Sequence, residues 1–246
     1  MATEAKAIAK PAIHAAMPWA LDISESSARH QLLSDDERAQ LEKIASVVRF
    51  NKGQQIYKEG NDADAIFNVI SGVVTAYRTL EGAEHVTSFL YPGDVFGLSE
   101  EGQYTNSTRA ATPVVAYSMP LPAVRRILES NANLDLHVII KLCEDLRKAQ
   151  RHGILLAQKR AATRLAMFLD LQEHLQAAAD KPVSEIHLAM DRASIAAYLG
   201  LTPPALSRAF RTLISKQIIS YRDLHHVKVL DRDIFNRLAR AHKRGD

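Results

Sequence analysis

The sequence contains one cysteine, Cys143, among 246 residues. A single thiol allows no internal disulfide, no Cys-x-x-Cys zinc or redox pair, and no thiolate set for an iron–sulfur cluster. Long apolar runs are missing as well: the longest, such as the one around residues 138–140, are far shorter than the roughly 20 residues that cross a bilayer. These absences exclude disulfide scaffolds, thiolate-bound clusters and membrane spans, and we expect a cytoplasmic protein.

Residues 1–30 are rich in alanine and show few apolar periodicities. They lack the continuous apolar core and cleavage site of a secretory signal, so we interpret them as a flexible N-terminal arm. Charge is unevenly placed along the rest of the chain. Residues 161–246 carry 13 Lys and Arg against 9 Asp and Glu, whereas the whole protein has a net charge of only +3. A basic C-terminal third favours a polyanionic partner, although weakly by itself.

Glycine is concentrated in one region, because 7 of the 10 glycines lie between positions 53 and 102. β-Branched and aromatic stretches alternate with them: "QQIYKE", "AIFNVIS", "VVTAYRT", "HVTSFLY" and "VVAYSM". Gly72 predicts a tight turn, and "LEGAE" predicts the next connection. A short amphipathic helix with a Ser34–Glu37 capping box precedes them. We therefore predict a small antiparallel β-roll over residues 31–132, which would act as a sensor domain.

Proline is absent from positions 123 to 181, and helix-forming residues dominate there. Apolar or small residues recur at steps of three and four, as in a coiled-coil seam: Val138, Leu142, Leu146, Ala149, Gly153 and Leu156. A helix that packs only on its own domain is the alternative. The length of the seam favours pairing with a second copy, so we predict that residues 133–160 form the dimerisation helix of a homodimer.

The segment 161–246 contains a helix that ends at Gly200 and is followed at once by "LTPPALSRAFRTL". Thr202 can cap this second helix. Pro203 and Pro204 fit in its first turn, where no intrahelical donor is lost. "HLAM", "IISYR" and "HVKVL" predict short strands, and the last two form a hairpin. The pattern is that of a winged helix-turn-helix.

The exposed face of the second helix carries groups that can read DNA. These are Ser207, Arg208 and Arg211, since arginine recognises guanine or phosphate and serine contacts either a base edge or phosphate. For Arg211 a solvated surface position is equally consistent with the sequence. Helical hairpins with a glycine turn also occur in proteins that do not bind DNA. The wing, the basic excess and the upstream seam together favour double-stranded DNA as the partner.

A β-roll, a long dimer helix and a C-terminal winged helix-turn-helix, in this order, resemble the Crp–Fnr family of bacterial transcription regulators. "YLGLTPPALSR" is similar to the family's turn and recognition helix, "PGDVFGL" to its β-roll signature, and "RLAMFL" to the helix after the seam. The resemblance implies an α+β fold with a cyclic-nucleotide-binding-like roll. It also implies a homodimer on a palindromic site, and contact with RNA polymerase if the protein is an activator.

One departure from the family concerns the recognition helix, where Pro204 stands in place of a Glu that precedes the Ser and Arg. A carboxylate there would accept from cytosine, and proline cannot. We expect Arg208 to read a guanine within a half-site that differs from the usual one. The resemblance also suggests phosphate contacts at the helix starts and in the wing. The full predicted DNA-binding set is Arg192, Thr202, Pro203, Pro204, Ser207, Arg208, Arg211, His225, His226 and Lys228.

A second departure concerns the cyclic-nucleotide cassette of the family, in which a Glu holds the ribose and an Arg–Ser pair the phosphate. Here Phe96-Gly97-Leu98 occupies the Glu position, and no arginine follows Gln103 until Arg109, which matches a structural position. An anionic phosphate without a cationic partner is poorly bound. This disfavours cyclic-nucleotide control. The residues left as an effector pocket are Phe96, Gly97, Leu98, Ser107, Thr108 and Arg109.

The sequence also leaves open whether the protein senses a signal through haem or through a redox-active cysteine. His85, His137 and His152 are conceivable haem ligands, although most lone histidines are structural. Cys143 lies beside the seam and is either a redox switch or, more commonly, a small buried apolar residue. FixK-type regulators share the lack of a cysteine cluster, and the chain looks closest to them.

No nucleophile–base set, metal-ligand cluster or glycine-rich phosphate loop occurs, so we do not expect an enzyme. The predicted function is a DNA-binding transcription regulator whose roll senses an unidentified signal. The alternatives are a haem-based or cyclic-nucleotide-gated regulator of the same fold, and an ungated DNA-binding dimer. If binding is gated, an input in the roll would shift the population of dimers whose recognition helices lie about one DNA turn apart.

Overall fold

The computed structural model describes residues 34–99, 101–178 and 184–240. The predicted N-terminal arm, residues 1–30, lies outside them. The first helix, α1 (Asp35–Ile44), has Ser34 as its N-cap. Ser34 Oγ accepts a hydrogen bond from Glu37 N at 3.3 Å, and Glu37 Oε2 accepts one from Ser34 N at 2.7 Å. The predicted capping box is therefore confirmed.

Eight strands follow and form two antiparallel sheets of four strands each. One sheet has the order β1-β8-β3-β6 and the other β2-β7-β4-β5. The predicted antiparallel roll is confirmed, with three strands, β1, β6 and β7, that the sequence patterns had not indicated. The strands are β1 (Ser46–Phe50), β2 (Gln55–Tyr57), β3 (Ala65–Ser71), β4 (Val74–Leu80), β5 (Ala83–Leu90), β6 (Val95–Phe96), β7 (Ser107–Ala110) and β8 (Val114–Pro120).

Two turns in the roll show why glycine is placed there. Gly72, between β3 and β4, has a φ of 89°, and a Cβ at this position would lie 2.3 Å from the carbonyl oxygen of Pro113. Glu81 and Gly82, between β4 and β5, both have positive φ, at 51° and 79°. Two consecutive positive φ values are typical of the tight hairpin turn whose twist matches that of its strands.

Three helices connect the roll to the C-terminal part: α2 (Leu121–Ser130), α3 (Ala132–Ala157) and α4 (Ala161–Ala178). The long α3 has two unlike faces. Lys141 and Glu144 are buried on the face that packs on its own chain, while Leu142 and Leu146 on the other face are 50% and 60% exposed. In the described ranges, none of the helices combines the length and the apolar character that crossing a membrane requires.

The C-terminal part folds as the predicted winged helix-turn-helix, which confirms the α+β fold class. Its elements are β9 (Ile186–His187), α5 (Arg192–Tyr198), α6 (Pro203–Ser215), β10 (Ile219–Tyr221), β11 (His226–Val229) and α7 (Arg232–Ala239). The three strands form a sheet of order β10-β11-β9. The bounds predicted for the strand "HLAM" (187–190) are wrong: β9 shares only His187 with it, because the chain leaves the sheet before Asp191 caps α5.

The roll and the C-terminal part share one hydrophobic core. Phe89 of β5 packs against Tyr198 of α5, with ring centroids 5.2 Å apart, and both rings contact Phe168 of α4. The hydroxyl of Tyr91, just after β5, donates to Gln172 Oε1 at 3.0 Å. The β4–β5 hairpin therefore holds the helix-turn-helix against the roll.

Candidate nucleic-acid interface

The start of α6 is formed by Thr202, Pro203 and Pro204. Thr202 Oγ1 accepts a hydrogen bond from Ala205 N at 3.3 Å, and its carbonyl accepts one from Leu206 N at 3.0 Å. The two prolines occupy the first two helical positions, where their missing N–H groups cost no helix hydrogen bond. The predicted cap and proline placement are therefore confirmed.

The exposed face of α6 presents a mixed set of side chains. Pro204, Ser207, Arg208 and Arg211 are exposed, and Ser207 Oγ donates to the carbonyl of Pro203 at 3.0 Å. On the other face Leu206, Ala209, Phe210 and Leu213 are buried. The apolar face anchors the helix, and the polar face stays available to a partner.

The turn between α5 and α6 is held by Arg164 of α4, which sequence reasoning had not singled out. Its Nη1 donates to the carbonyls of Leu199 and Gly200 at 2.9 and 3.2 Å, and its Nε donates to Gln158 O at 2.8 Å. Gly200 itself has a φ of 60°. Arg164 therefore ties the end of the long helix to the turn before α6.

Arg192, the first residue of α5, is half-buried. Its guanidinium lies 3.9 Å from the centre of the Phe210 ring, and burial lowers its pKa. Nη1 is buried and has no hydrogen-bond partner within the described residues. The cation therefore packs against the underside of α6 through the Phe210 ring.

In the wing, the turn between β10 and β11 is organised by Asp223. Its carboxylate accepts hydrogen bonds from His225 N at 2.7 Å and His226 N at 3.0 Å, and lies 2.9 Å from His226 Nδ1. These contacts hold the pKa of Asp223 well below its usual range. His225 Nδ1 lies 2.8 Å from Leu188 O, so both rings have only Nε2 left for a phosphate, while Lys228 is exposed.

The predicted seam on α3 lies on the face turned away from its own domain. Of its six residues, Leu142, Leu146, Ala149, Gly153 and Leu156 are exposed. Val138 is half-buried, and its neighbour Ile139 is 55% exposed. Starting from Ile139, the exposed residues follow steps of three, four, three, four and three, which is the spacing of a coiled-coil stripe.

The proposed effector residues do not line one open site. Phe96 is buried and stacks on Phe67 at 5.2 Å, whereas Leu98 is 40% exposed. Gly97 has a φ of 87°, and a Cβ there would lie 2.9 Å from Ala65 O. Ser107 Oγ accepts from Glu59 N at 3.0 Å, and Thr108 is fully buried between the sheets.

Arg109 faces the outside of the roll. Its Nη1 donates to Glu84 Oε1 at 2.7 Å, and its guanidinium lies 4.7 Å from the centre of the Tyr77 ring. The hydrogen bond to Glu84 raises its pKa. Arg109 therefore serves the β4–β5 hairpin and is not directed to a ligand in the roll.

Two tyrosines that sequence reasoning missed occupy the interior of the roll. Tyr57 and Tyr104 stack with ring centroids 3.7 Å apart, and the Tyr104 hydroxyl lies 3.1 Å from Asp64 Oδ1 and 2.9 Å from Ala65 O. Burial raises the pKa of Tyr104. Tyr104 directly follows Gln103, in the stretch without an arginine, and its position there was the available signal. Tyr57 and Tyr104 offer aromatic rings and no positive charge to a cyclic nucleotide phosphate.

The conceivable haem and redox residues are separated from one another. His85 is exposed on β5, and His137 Nδ1 lies 3.5 Å from Glu37 Oε2. His152 stacks on Tyr198 at 4.1 Å with its Nε2 2.7 Å from Tyr198 O, and burial lowers its pKa. Cys143 is exposed. His152 would have to give up its Nε2 contact with Tyr198 O to ligate iron through that nitrogen, whereas the contact of His137 engages Nδ1.

In the described parts of the chain, no group of three or more His, Cys, Asp or Glu side chains could hold a metal ion.

A roll, a long helix with an exposed apolar stripe and a winged helix-turn-helix together define a DNA-binding transcription regulator of the cyclic-nucleotide-domain type.

Comparisons with known proteins agree with this class. The protein-family model for the cyclic nucleotide-binding domain matches residues 47–131, and the family model for the Crp-like helix-turn-helix domain matches residues 163–238. The nitrogen fixation regulation protein FixK of Azorhizobium caulinodans is 30% identical over 77% of this chain and 77% of its own. The transcriptional activatory protein AadR of Rhodopseudomonas palustris is 27% identical over 85% of this chain and 87% of its own.

Solved structures show the same fold. FixK2 from Bradyrhizobium japonicum superposes with a TM-score of 0.73 at 25% identity, covering 79% of this chain and 97% of its own. A CooA mutant from Carboxydothermus hydrogenoformans superposes with a TM-score of 0.68 at 20% identity, covering 89% of this chain and 98% of its own. The chain belongs to the Crp–Fnr family of transcription regulators. Members of this family bind DNA and act as dimers, and they are not enzymes.

Proposed function

We propose that two copies of this chain pair along α3 and bind an inverted-repeat DNA site, with each α6 in the major groove of one half-site. The observation that carries the proposal is the start of α6, where Ser207, Arg208 and Arg211 are exposed beside a wing. Recognition helices of this type dock by their N-terminal residues, and paired copies read half-sites about 10 base pairs apart.

Within this proposal Arg208 reads a guanine. Its side chain is exposed, and its fork of donors matches guanine O6 and N7. Thr202, His225, His226 and Lys228 contact phosphates, with Arg192 behind them under α6. Such contacts orient the protein and make binding depend on salt without choosing the sequence.

The domain boundaries follow the same assignment. Residues 31–132 form the sensing roll, 133–160 the pairing helix and 161–246 the DNA-binding unit, with 1–30 as an arm. Because the β4–β5 hairpin packs on α5 and α4, a change in the roll alters the position of α6. Arg109, the arginine of the predicted effector set, pairs with Glu84, which supports an input other than a cyclic nucleotide, as expected for FixK-like regulators.

The name of the Rhodopseudomonas palustris relative describes a transcriptional activator. On that likeness we extend the proposal to activation of promoters, which requires a contact between the DNA-bound dimer and RNA polymerase.

The test is a selection from random duplexes with the full-length protein at fixed salt. Wild type is expected to return an inverted repeat with a guanine in each half-site. Arg208→Ala is expected to lose that guanine preference, weakening binding by about 1–3 kcal/mol, or roughly 5- to 150-fold. Arg126→Ala, an exposed arginine of α2, is the matched control and should keep the wild-type motif. An unchanged motif with Arg208→Ala would contradict the proposal.

A further inference from the structure

The exposed first turn of α6 lacks hydrogen-bonding groups that could face a base. Pro203 and Pro204 have no N–H, the N–H of Ala205 is bonded to Thr202 Oγ1, and the N–H of Leu206 is bonded to Thr202 O. The side chain of Pro204 is exposed and purely apolar. Helix starts usually offer free N–H groups to anions, and this one offers an apolar surface instead.

Pro204 lies on the same face of α6 as the residues that we assign to base reading. Ser207 and Arg208 follow it at three and four residues, the spacings that bring side chains together on a helix. Ser207 Oγ donates back to the carbonyl of Pro203, which directs its hydroxyl hydrogen towards the turn. The surface next to Arg208 is therefore apolar at Pro204.

The chemistry of the major groove gives this surface one matching partner. Of the base edges there, only thymine presents an apolar group, its C5 methyl, whereas adenine, guanine and cytosine present polar groups. A polar edge covered by the proline ring would lose water without gaining a hydrogen bond, which disfavours it. A methyl group covered by the same ring gains from leaving water.

We infer that Pro204 selects a thymine in each half-site by contact between its ring and the C5 methyl. The inference rests on the proposed function, because it needs α6 to lie in the major groove. Pro204 and Arg208 are separated by about 6 Å along the helix axis, or about two base-pair steps of 3.4 Å. The thymine therefore lies within about one or two base pairs of the guanine read by Arg208.

The test removes only the methyl group. In the duplex selected by the full-length protein, each thymine near the guanine is replaced singly by deoxyuridine, and affinity is measured at one salt concentration. Wild type is expected to bind about three- to fivefold more weakly when the contacted thymine is replaced, the value of one buried methyl. Replacement of the other thymines should have less effect.

Three variants assign the effect to Pro204. Pro204→Ala should reduce the thymine-to-deoxyuridine ratio to about one to two, because most of the apolar ring is gone. Pro204→Glu should shift selection at that position towards cytosine, whose amino group a carboxylate accepts. Pro122→Ala, which removes the exposed proline in the first turn of α2, is the matched control and should keep the wild-type ratio. Circular dichroism checks that each variant is folded.

The outcomes distinguish failure of the Pro204 inference from failure of the proposed DNA-binding function. A wild-type ratio near one at every thymine, or a ratio that Pro204→Ala leaves unchanged, overturns the role of Pro204 while an inverted-repeat motif stands. A wild-type protein that shows no sequence preference overturns the proposed function, and the role of Pro204 with it.

Discussion

At the scale of single residues, two buried carboxylates where α3 packs on the roll have pKa values shifted in opposite directions. Asp94, in the turn after β5, accepts from Lys148 Nζ at 2.6 Å and Lys141 Nζ at 3.1 Å. Burial opposes its ionisation, but the two lysines outweigh burial and hold the pKa of Asp94 below its usual value. Glu144 on α3 is also buried, and neither of its oxygens accepts a hydrogen bond from the described residues. Burial raises the pKa of Glu144 in spite of the nearby lysines.

These directions predict opposite effects of two isosteric substitutions. Asp94→Asn should lower the free energy of unfolding at pH 7 by about 3 kcal/mol, because the buried Lys141 and the half-buried Lys148 each lose their nearest carboxylate. Glu144→Gln should raise it, because burial disfavours the charge of Glu144 by more than Lys141 Nζ, 3.8 Å away, favours it. The measurement is urea unfolding of both variants and wild type as a function of pH.

The pH dependence follows from the sign of each shift. Asp94 has a folded pKa below its unfolded value, so its contribution is complete above about pH 4 and disappears as pH falls through the folded pKa. Glu144 has a folded pKa above its unfolded value, so its cost develops as pH rises from about 4 through the folded pKa. Both differences from wild type should therefore shrink on acidification. Equal destabilisation by the two variants at pH 7 would refute this account.

At the scale of elements, the β4–β5 hairpin is the contact through which the roll holds the helix-turn-helix. Phe89 is 8% exposed and packs on Tyr198 and Phe168. Phe89→Ala should cost about 3–5 kcal/mol, as large-to-small changes of buried aromatic residues do. We expect faster amide hydrogen exchange in α5 and α6 as the result.

The matched control is Phe67→Ala, which removes a ring of the roll interior that stacks on Phe96 and Tyr57. It should speed exchange in the roll strands and leave α5 and α6 closer to wild type. If both variants loosen α5 and α6 equally, the hairpin is not a specific connection.

Element prediction from sequence succeeded where a local signal decides the structure. The capping box at Ser34, the turn at Gly72 and the proline-led start of α6 are set by residues within a few positions, and all three are observed. Strands β1, β6 and β7 escaped prediction because they are short and are defined by distant partners, as in the pairing of Phe50 with Val114. The stack of Tyr57 on Tyr104 joins residues far apart in the chain, so no local pattern signals it.

The same distinction applies to the site. The exposed face of α6 could be predicted from helical spacing, because periodicity separates the buried Leu206, Phe210 and Leu213 from the rest. The role of Arg164 could not, since its acceptors lie just after α3 and at the α5–α6 turn. Nor could the ion pair of Arg109 with Glu84, which depends on the registers of β7 with β4 and of β4 with β5.

At the scale of the whole molecule, the account requires two chains on one DNA site. Within each chain, α3 buries its charged face on its own roll and leaves an apolar stripe from Ile139 to Leu156 exposed. In the proposed dimer, the stripe of a second copy would cover this one, remove both stripes from water and set the distance between the two α6 helices. Pairing along α3 and reading of an inverted repeat are thus one claim.

The most direct measurement of that claim is the number of chains bound per duplex, by sedimentation velocity, on an intact inverted repeat and on a duplex with one half-site scrambled. The account predicts two chains on the intact site and at least tenfold weaker binding to the scrambled duplex, about 1.4 kcal/mol. Leu146→Asp should give single chains without stable binding, whereas Leu80→Asp, an exposed leucine of the roll, should behave as wild type. One wild-type chain bound equally well to both duplexes would contradict the account.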